Sequence, residues 1–326
     1  MSGCRVIRVG VLGCSDIARR KFIPALLKSS QACCAALASR QPLKAASCVP
    51  PALSITPMTY QELVCSPGVD LVYVSLPNHL HEEWSIRALE QGKHVICEKP
   101  LGLSAASVTR MLDVADSHGR LLFENLMYLQ HPQHTMVKAL IDSGRIGKVL
   151  SLQSEFAFPG PLDGDFRLDL RQGGGAFHDM NRYPLSAARY FLTGKQHRFC
   201  QGTQVVREGL VLSLQAESCT ESGETFSFLT AFGLTYRSFY RISAERGCIA
   251  VERAYTTPAD MENRIAVTID GRDESFSVPP SDHFLNTVDF VCGLIRSGDW
   301  QREHQRARDV AELAGIFYDN CREIKG

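Results

Sequence analysis

The sequence predicts an α/β chain built in two parts, and three observations carry that expectation. Strand-like and helix-like segments alternate through the first third, the pattern of a parallel sheet with right-handed crossovers. The run Leu71-Val72-Tyr73-Val74-Ser75-Leu76 is almost continuously apolar, as expected of a strand buried on both faces. After about residue 125 the order changes, and strand follows strand across 204–278, which predicts an open, mainly antiparallel sheet. A chain of 326 residues is long for one core and suits two. The expected domains are 1–124 and 125–326.

Each element has its own signal. Residues 6–12 form the first apolar run, which ends in a turn at Gly13-Cys14-Ser15 and leads into a helical stretch over 16–30. Strands follow at 33–38 and 71–76, the latter broken by Pro77-Asn78. A helix over 79–91 is stopped by Gly92, a short strand lies at 94–97, and Ser104 caps a helix that ends before Gly119. A further strand is expected at 121–123. In the second part a helix is expected at 134–143, an extended segment at 147–158, and one helix over 176–192 after the turn Gly173-Gly174-Gly175. Two helices, 282–296 and 302–323, close the chain.

Composition excludes several function classes. Hydrophobic residues make up 44% and charged residues 21%, a globular balance. Lys plus Arg equals Asp plus Glu at 35 each, so no basic footprint for nucleic acid exists. No apolar run has the length of a membrane span, and residues 1–6 lack a signal-peptide core. The expectation is a soluble, cytoplasmic protein. Twelve cysteines are present without a Cys-x-x-Cys pair or zinc spacing. Most, such as Cys33, Cys34, Cys48 and Cys292, sit in apolar strings and read as small hydrophobes. Cys14 and Cys97 flank motifs and are expected targets of inactivating thiol reagents. His131, His134 and His178 lack a convincing third ligand, so no metal is expected. The apolar content of 204–278 exceeds what a fully solvated sheet face carries. A homo-oligomer, dimer or tetramer, is therefore expected.

Two places carry chemistry. The first turn reads Gly13-Cys14-Ser15-Asp16-Ile17-Ala18, a dinucleotide fingerprint with Ser for its second Gly and Ala for its third. Its use is to let backbone approach a pyrophosphate at a helix start; the bland alternative is a tight strand-to-helix turn. The second strand ends Ala38-Ser39-Arg40. NAD enzymes usually place a carboxylate there, whereas a hydroxyl and a guanidinium suit a 2'-phosphate. The expectation is a Rossmann domain that binds NADP(H). The bland alternative is a solvated arginine.

The second place combines Glu98-Lys99-Pro100, after a parallel strand, with Asp179 and Tyr183, four residues apart on one helix face. Together they offer an amine, a carboxylate and a phenol. Tyr alone is a weak acid, with a solution pKa of about 10, and a neighbouring ammonium would stabilise its phenolate. Against this, Lys99 could be a surface lysine, Asp179 could pair with Arg182 or Arg189, and Tyr183 could be a packing residue. Phe156, Phe158 and Tyr255 could stack on a base or belong to the core.

The strings GCSDIA at 13–18, LPNHLHEEW at 76–84, HVICEKPL at 94–101 and GGGAFHDMNRYPL at 173–185 together resemble the glucose-fructose oxidoreductase / inositol dehydrogenase / rhizopine-catabolism (Gfo/Idh/MocA) family. The resemblance spans nearly the whole chain. Within the family, ENLMYLQHPQH at 124–134, DFR at 165–167 and ERGCIAVERAYTTP at 245–258 are similar to nucleotide-sugar 3-ketoreductases of deoxysugar pathways. The resemblance implies a Rossmann domain followed by an α/β domain with an open sheet. It implies transfer of hydride from NADPH to the 3-keto group of a dTDP-linked keto-deoxysugar. Tyr183 would donate the proton, Lys99 would orient substrate and nicotinamide ribose, and Asp179 would hold the sugar. Leu76, Pro77, Asn78, His81 and Glu98 would join Gly13, Cys14, Ser15, Asp16, Ile17, Ser39, Arg40 and Lys99 around the cofactor. Tyr128, Phe158, Arg167, Arg182 and Tyr255 would touch the substrate. Asn181 and Arg182 depart from the Gly and apolar residue usual between the Asp and the Tyr. Two other readings stand beside this one: a dehydrogenase of a free sugar, polyol or diol, and a non-catalytic cofactor-sensing regulator.

Overall fold

The computed structural model describes residues 5–41, 45, 46, 48, 55, 57–192 and 194–326. They divide into two compact units, 1–127 with 284–308 and 128–283 with 309–326. Among the described residues no helix is long and apolar enough to cross a membrane.

The first unit holds a six-stranded, wholly parallel sheet of order β3-β2-β1-β4-β5-β6. Its strands are β1 (Ile7–Leu12), β2 (Ala32–Ala38), β3 (Pro57–Met58), β4 (Leu71–Val74), β5 (His94–Cys97) and β6 (Leu122–Glu124). All four residues of β4 are buried, as its unbroken apolar run requires. A helical stretch begins at residue 16, widens over Ala18–Phe22 and continues as α1 (Ile23–Lys28). Pro24 lies just past the wide turn and has no N–H to close an ordinary one. Phe22 then stacks on Tyr73 of β4 at 3.6 Å between ring centroids. α2 (Tyr60–Cys65) opens on a capping box between Thr59 and Glu62. α3 (His81–Glu90) and α4 (Ala105–Ser117) follow, and the Ser104 side chain accepts the Ser107 amide at 3.1 Å.

The expected second domain, 125–326, requires correction, because residues 284–308 belong to the first unit. This segment carries most of α8 (His283–Ser297) and the start of α9 (Gln301–Asn320). Phe284, Val288, Val291 and Cys292 are buried, and Phe290 meets Phe123 edge-on at 6.0 Å. Ser29 donates to Asp289 at 2.8 Å, and the Leu122 amide donates to His304 Nε2 at 3.0 Å. Sequence order hid this return, because an amphipathic helix does not declare which sheet it will cover.

The second unit is a nine-stranded mixed sheet of order β14-β13-β12-β11-β7-β10-β9-β8-β15. The strands are β7 (Val149–Phe158), β8 (His197–Arg207), β9 (Leu210–Thr220), β10 (Thr225–Phe232), β11 (Arg237–Ala244), β12 (Gly247–Glu252), β13 (Asn263–Ile269), β14 (Arg272–Val278) and β15 (Arg322–Lys325). Only the β7–β10 and β8–β15 pairs are parallel. β15 replaces the end of the helix expected to reach residue 323. There the chain leaves α9 and pairs with β8, covering an otherwise open strand edge. α5 (Pro132–Asp142) precedes the sheet. The single helix expected over 176–192 is two, α6 (Ala176–Met180) and α7 (Arg182–Phe191). Pro184 supplies no N–H for the Met180 carbonyl, which ends α6. α6 lies against β9 and β10, and α7 against β7.

Alternation sorts this sheet's faces. Leu152, Ser154, Phe156, Phe226, Phe228, Tyr240 and Ile242 are buried. Gln153, Glu155, Gln215, Glu217, Arg237 and Arg241 occupy the intervening positions. The open face is therefore more polar than the apolar content of 204–278 suggests, because the apolar side chains share the other face.

The bond to the returning helix can be tested directly. His304 is buried, accepts from the Leu122 amide and pairs through Nδ1 with Asp116 at 2.7 Å. His304→Ala orphans a buried N–H and should cost about 1–3 kcal/mol in urea unfolding. A loss below about 0.5 kcal/mol, the range of a neutral surface change, would show that the segment is held without this contact.

Candidate active site

In the first unit, strand order reverses between β1 and β4, the place where parallel sheets form a crevice at their carboxyl ends. Gly13 closes β1 there with φ +111°, and a Cβ on it would lie 2.4 Å from the Ser75 carbonyl oxygen. Only glycine fits. Ser15 Oγ accepts the Ala18 amide at 3.1 Å and hydrogen-bonds the Ser75 hydroxyl. The Ser15 side chain is thus tied to the end of β4. Asp16 pairs with Arg19 at the surface, while Cys14 and Ile17 are half-buried.

Ser39 is buried, its amide donating to the Met58 carbonyl at 3.1 Å, and Arg40 is exposed beside it. Leu76 and Asn78 are buried and Pro77 is half-buried. His81 does not line an open groove. It is wholly buried, with Nδ1 2.8 Å from the Pro100 carbonyl and Nε2 2.8 Å from that of Leu76. Burial lowers its pKa, and a neutral ring donates to only one of these carbonyls. It braces two loops that reach the carboxyl end of the sheet. Glu98 also has a structural engagement. Its carboxylate accepts from the Tyr73 hydroxyl and from Asn125 Nδ2, the latter at 2.7 Å. Burial raises its pKa against these donors. Lys99 is half-buried and follows directly. Cys97 is fully buried and its pKa is raised well above the ordinary value by desolvation. The expectation of a reagent-sensitive thiol there is therefore corrected; Cys14 alone of the pair has exposure.

In the second unit, Asp179 pairs with Arg167 Nε at 3.0 Å. Burial works against the Arg167 charge, but Asp179 and Asp165 outweigh it and hold the guanidinium above its ordinary pKa. A Cβ on Gly174 would sit 2.5 Å from the Arg167 carbonyl, so the glycine turn lets this loop close over the start of α6. Tyr183 on α7 is 4% exposed. Its ring lies 4.8 Å from Phe156, 5.4 Å from Tyr255 and 5.7 Å from Tyr128.

Tyr128 and Tyr255, expected at the substrate, are fully buried members of this cluster. Tyr255 bonds Ser154, and Tyr128 shares its hydroxyl with Ser186 at 2.7 Å. They hold Tyr183 rather than offer a face of their own. Phe158 packs on Phe232 at 5.2 Å. Arg182 is 3% exposed, so it does not point to solvent. Burial, aided by Arg182, pushes the His178 pKa down to about 4, leaving a neutral ring.

Sequence reasoning missed Ser75, Tyr73 and Asn125. Ser75 and Asn125 stand just past β4 and β6, where a position-based reading could have found them. Tyr73 lies inside an apolar run and gives no such signal.

Comparison with known proteins identifies the family. The profile described as "Oxidoreductase family, NAD-binding Rossmann fold" (GFO/IDH/MocA) matches residues 7–126, and the GFO/IDH/MocA C-terminal domain matches 134–250. A dTDP-3,4-didehydro-2,6-dideoxy-alpha-D-glucose 3-reductase of Saccharopolyspora spinosa is 35% identical over 94% of this chain and 92% of that one. The chain belongs to the Gfo/Idh/MocA oxidoreductase family. A member named for the same reduction, from Actinomadura kijaniata, is 35% identical over 91% of this chain and 90% of its own. A crystal structure of a 3-ketoreductase from that organism, in complex with NADP and TDP-benzene, superposes with TM-score 0.93 at 32% identity, covering 99% of this chain and all of that one. The family and the fold class expected from the motifs are thereby borne out.

Buried histidines make this protein's stability depend on acid. His134 lies wholly buried between the Tyr240 hydroxyl and the Ala254 carbonyl, each 3.0 Å away, and burial pushes its pKa down to about 3. Unfolded, it titrates near about 6.5. Its contribution is therefore complete above the unfolded value and is lost as pH falls from there toward 3. Stability against urea should fall between pH 7 and pH 5, and His134→Gln should flatten that slope. An unchanged slope in the variant would rule out His134 as a source.

Proposed function

We propose that this protein is an NADPH-dependent ketoreductase that reduces the 3-keto group of a dTDP-linked keto-deoxysugar. The near-full-length similarity to dTDP-3,4-didehydro-2,6-dideoxy-alpha-D-glucose 3-reductases carries the reading. The first unit's residues fit the cofactor. Gly13 permits the tight β1 turn before a helix start, and Ser39 and Arg40 end β2 without a carboxylate that would repel a 2'-phosphate. NADPH, when bound, supplies the hydride.

The chain's own residues do the rest. Negative charge develops on the carbonyl oxygen as the ketone is reduced. Tyr183 gives its phenolic proton to that oxygen. The rings of Phe156, Tyr128 and Tyr255 fix its direction, so little reorganisation is needed at that step. Lys99 stabilises the charge and orients the sugar. Asp179, held by Arg167, accepts from a sugar hydroxyl. The neutral, buried His178 is a poor substitute donor.

A second reading keeps the same residues and runs on a free sugar. A D-xylose 1-dehydrogenase (NADP(+)) of Haloferax volcanii is 30% identical over 96% of both chains. An NADPH-oxidation screen across TDP-linked 3-keto sugars and free keto-sugars separates the two. Turnover confined to free sugars would overturn the first.

Tyr183→Phe keeps the ring packing and deletes one proton. It should lower kcat by about 10²–10⁴-fold with NADPH affinity nearly unchanged, and Lys99→Met should be at least as damaging. Full kcat in Tyr183→Phe, with hydride transfer rate-limiting by a deuterium isotope effect, would return Tyr183 to a packing role.

We also infer a homo-oligomer that works in the cytoplasm. The free state of all the described cysteines supports a reducing compartment. The open sheet face carries charges of both signs beside Leu229 and Phe239, a self-complementary surface that suits closed symmetry. Light scattering at micromolar concentration should report a dimer or tetramer; a monomer there would end the proposal.

A further inference from the structure

Neither the motifs nor the resemblance assigns Tyr60 a role. Its place follows from the shortest strand among the described residues. β3 has two residues, paired in parallel with β2 as Leu37↔Pro57 and Ala38↔Met58. The Ser39 amide extends the ladder by donating to the Met58 carbonyl at 3.1 Å. The two chains thus leave the sheet in step, and Thr59-Tyr60 follows β3 as Ser39-Arg40 follows β2.

That register sets Tyr60 beside Arg40 at the carboxyl end of the sheet. The ring is not loose. The capping box of Thr59 and Glu62 fixes its backbone at the first position of α2. Trp84 of α3 meets it edge-on at 5.1 Å, and the Arg87 guanidinium covers the Trp84 ring at 5.0 Å. Burial raises the phenol's pKa despite Arg40, so at neutral pH it is a proton donor and not a phenolate.

An oriented neutral donor beside an exposed arginine and a buried serine, at the end of the second parallel strand, recognises a dianion on a ribose. We propose that Tyr60 is a specificity-determining residue, its hydroxyl donating to the 2'-phosphate that Arg40 pairs. This rests on the NADP(H) reading above.

Fluorescence titration of the purified full chain with NADPH and with NADH tests it without turnover. Tyr60→Phe keeps the ring and its contact with Trp84. A hydrogen bond to a charged group is worth roughly tenfold or more in affinity. The variant should therefore bind NADPH about tenfold more weakly, with NADH affinity within about twofold of the parent. Equal weakening of both cofactors would mean that the hydroxyl serves packing, and no change would mean that it serves nothing at the phosphate; either overturns the inference. The NADP(H) reading has its own controls. If the parent chain binds NADH as tightly as NADPH, that reading fails and takes the inference with it. If the parent prefers NADPH and Arg40→Ala removes the preference while Tyr60→Phe leaves it, the reading stands and Tyr60 alone is dismissed.

Discussion

The first unit depends on one close approach, that of Gly13 to the Ser75 carbonyl. A single methyl group there would press β1 and β4 apart where their neighbours diverge to opposite sides of the sheet. The same approach lets Ser15 and Ser75 share a hydrogen bond. The turn that begins the first helix is thus fixed to the next strand, and not only to its own. A glycine-rich turn is usually described by what it admits. Here its serine substitution adds an internal tie that a second glycine could not make.

Positions that bear chemistry are held by neighbours that bear none. Glu98 is anchored through Tyr73 and Asn125, and the Pro100 carbonyl meets His81, so Lys99 sits between two fixed points. In the second unit Tyr183 is caged by three aromatic rings and Asp179 is fastened to Arg167. Both arrangements limit side-chain freedom before any ligand arrives, which is how preorganised donors act without reorganisation cost.

Much of this was legible in the sequence, for physical reasons. β4 could be read because burial on both faces leaves an unbroken apolar run, and α4 because Ser104 and Gly119 mark its ends. Lys99, Asp179 and Tyr183 could be named because their motifs are local. What could not be read depends on tertiary partners. Nothing next to Asp179 in the sequence names Arg167 as a partner. Nothing in the aromatic residues told that Tyr128 and Tyr255 lie under Tyr183 and not beside a ligand. The break at Asn181 follows from Pro184, whose missing N–H is a local mark that the single helix expected over 176–192 left out of account. The polar character of the open sheet face was masked because composition sums over both faces.

The return of residues 284–308 to the first unit bears on how such chains can be recombined. Neither unit is one contiguous stretch, and α9 supplies turns to both. A single crossover near residue 127, joining the front of one relative to the back of another, would pair the six-stranded sheet with a foreign covering helix. Interchange of cofactor modules within this lineage therefore requires matched exchange at two distant sites, and inheritance of the chain as a whole is the simpler route.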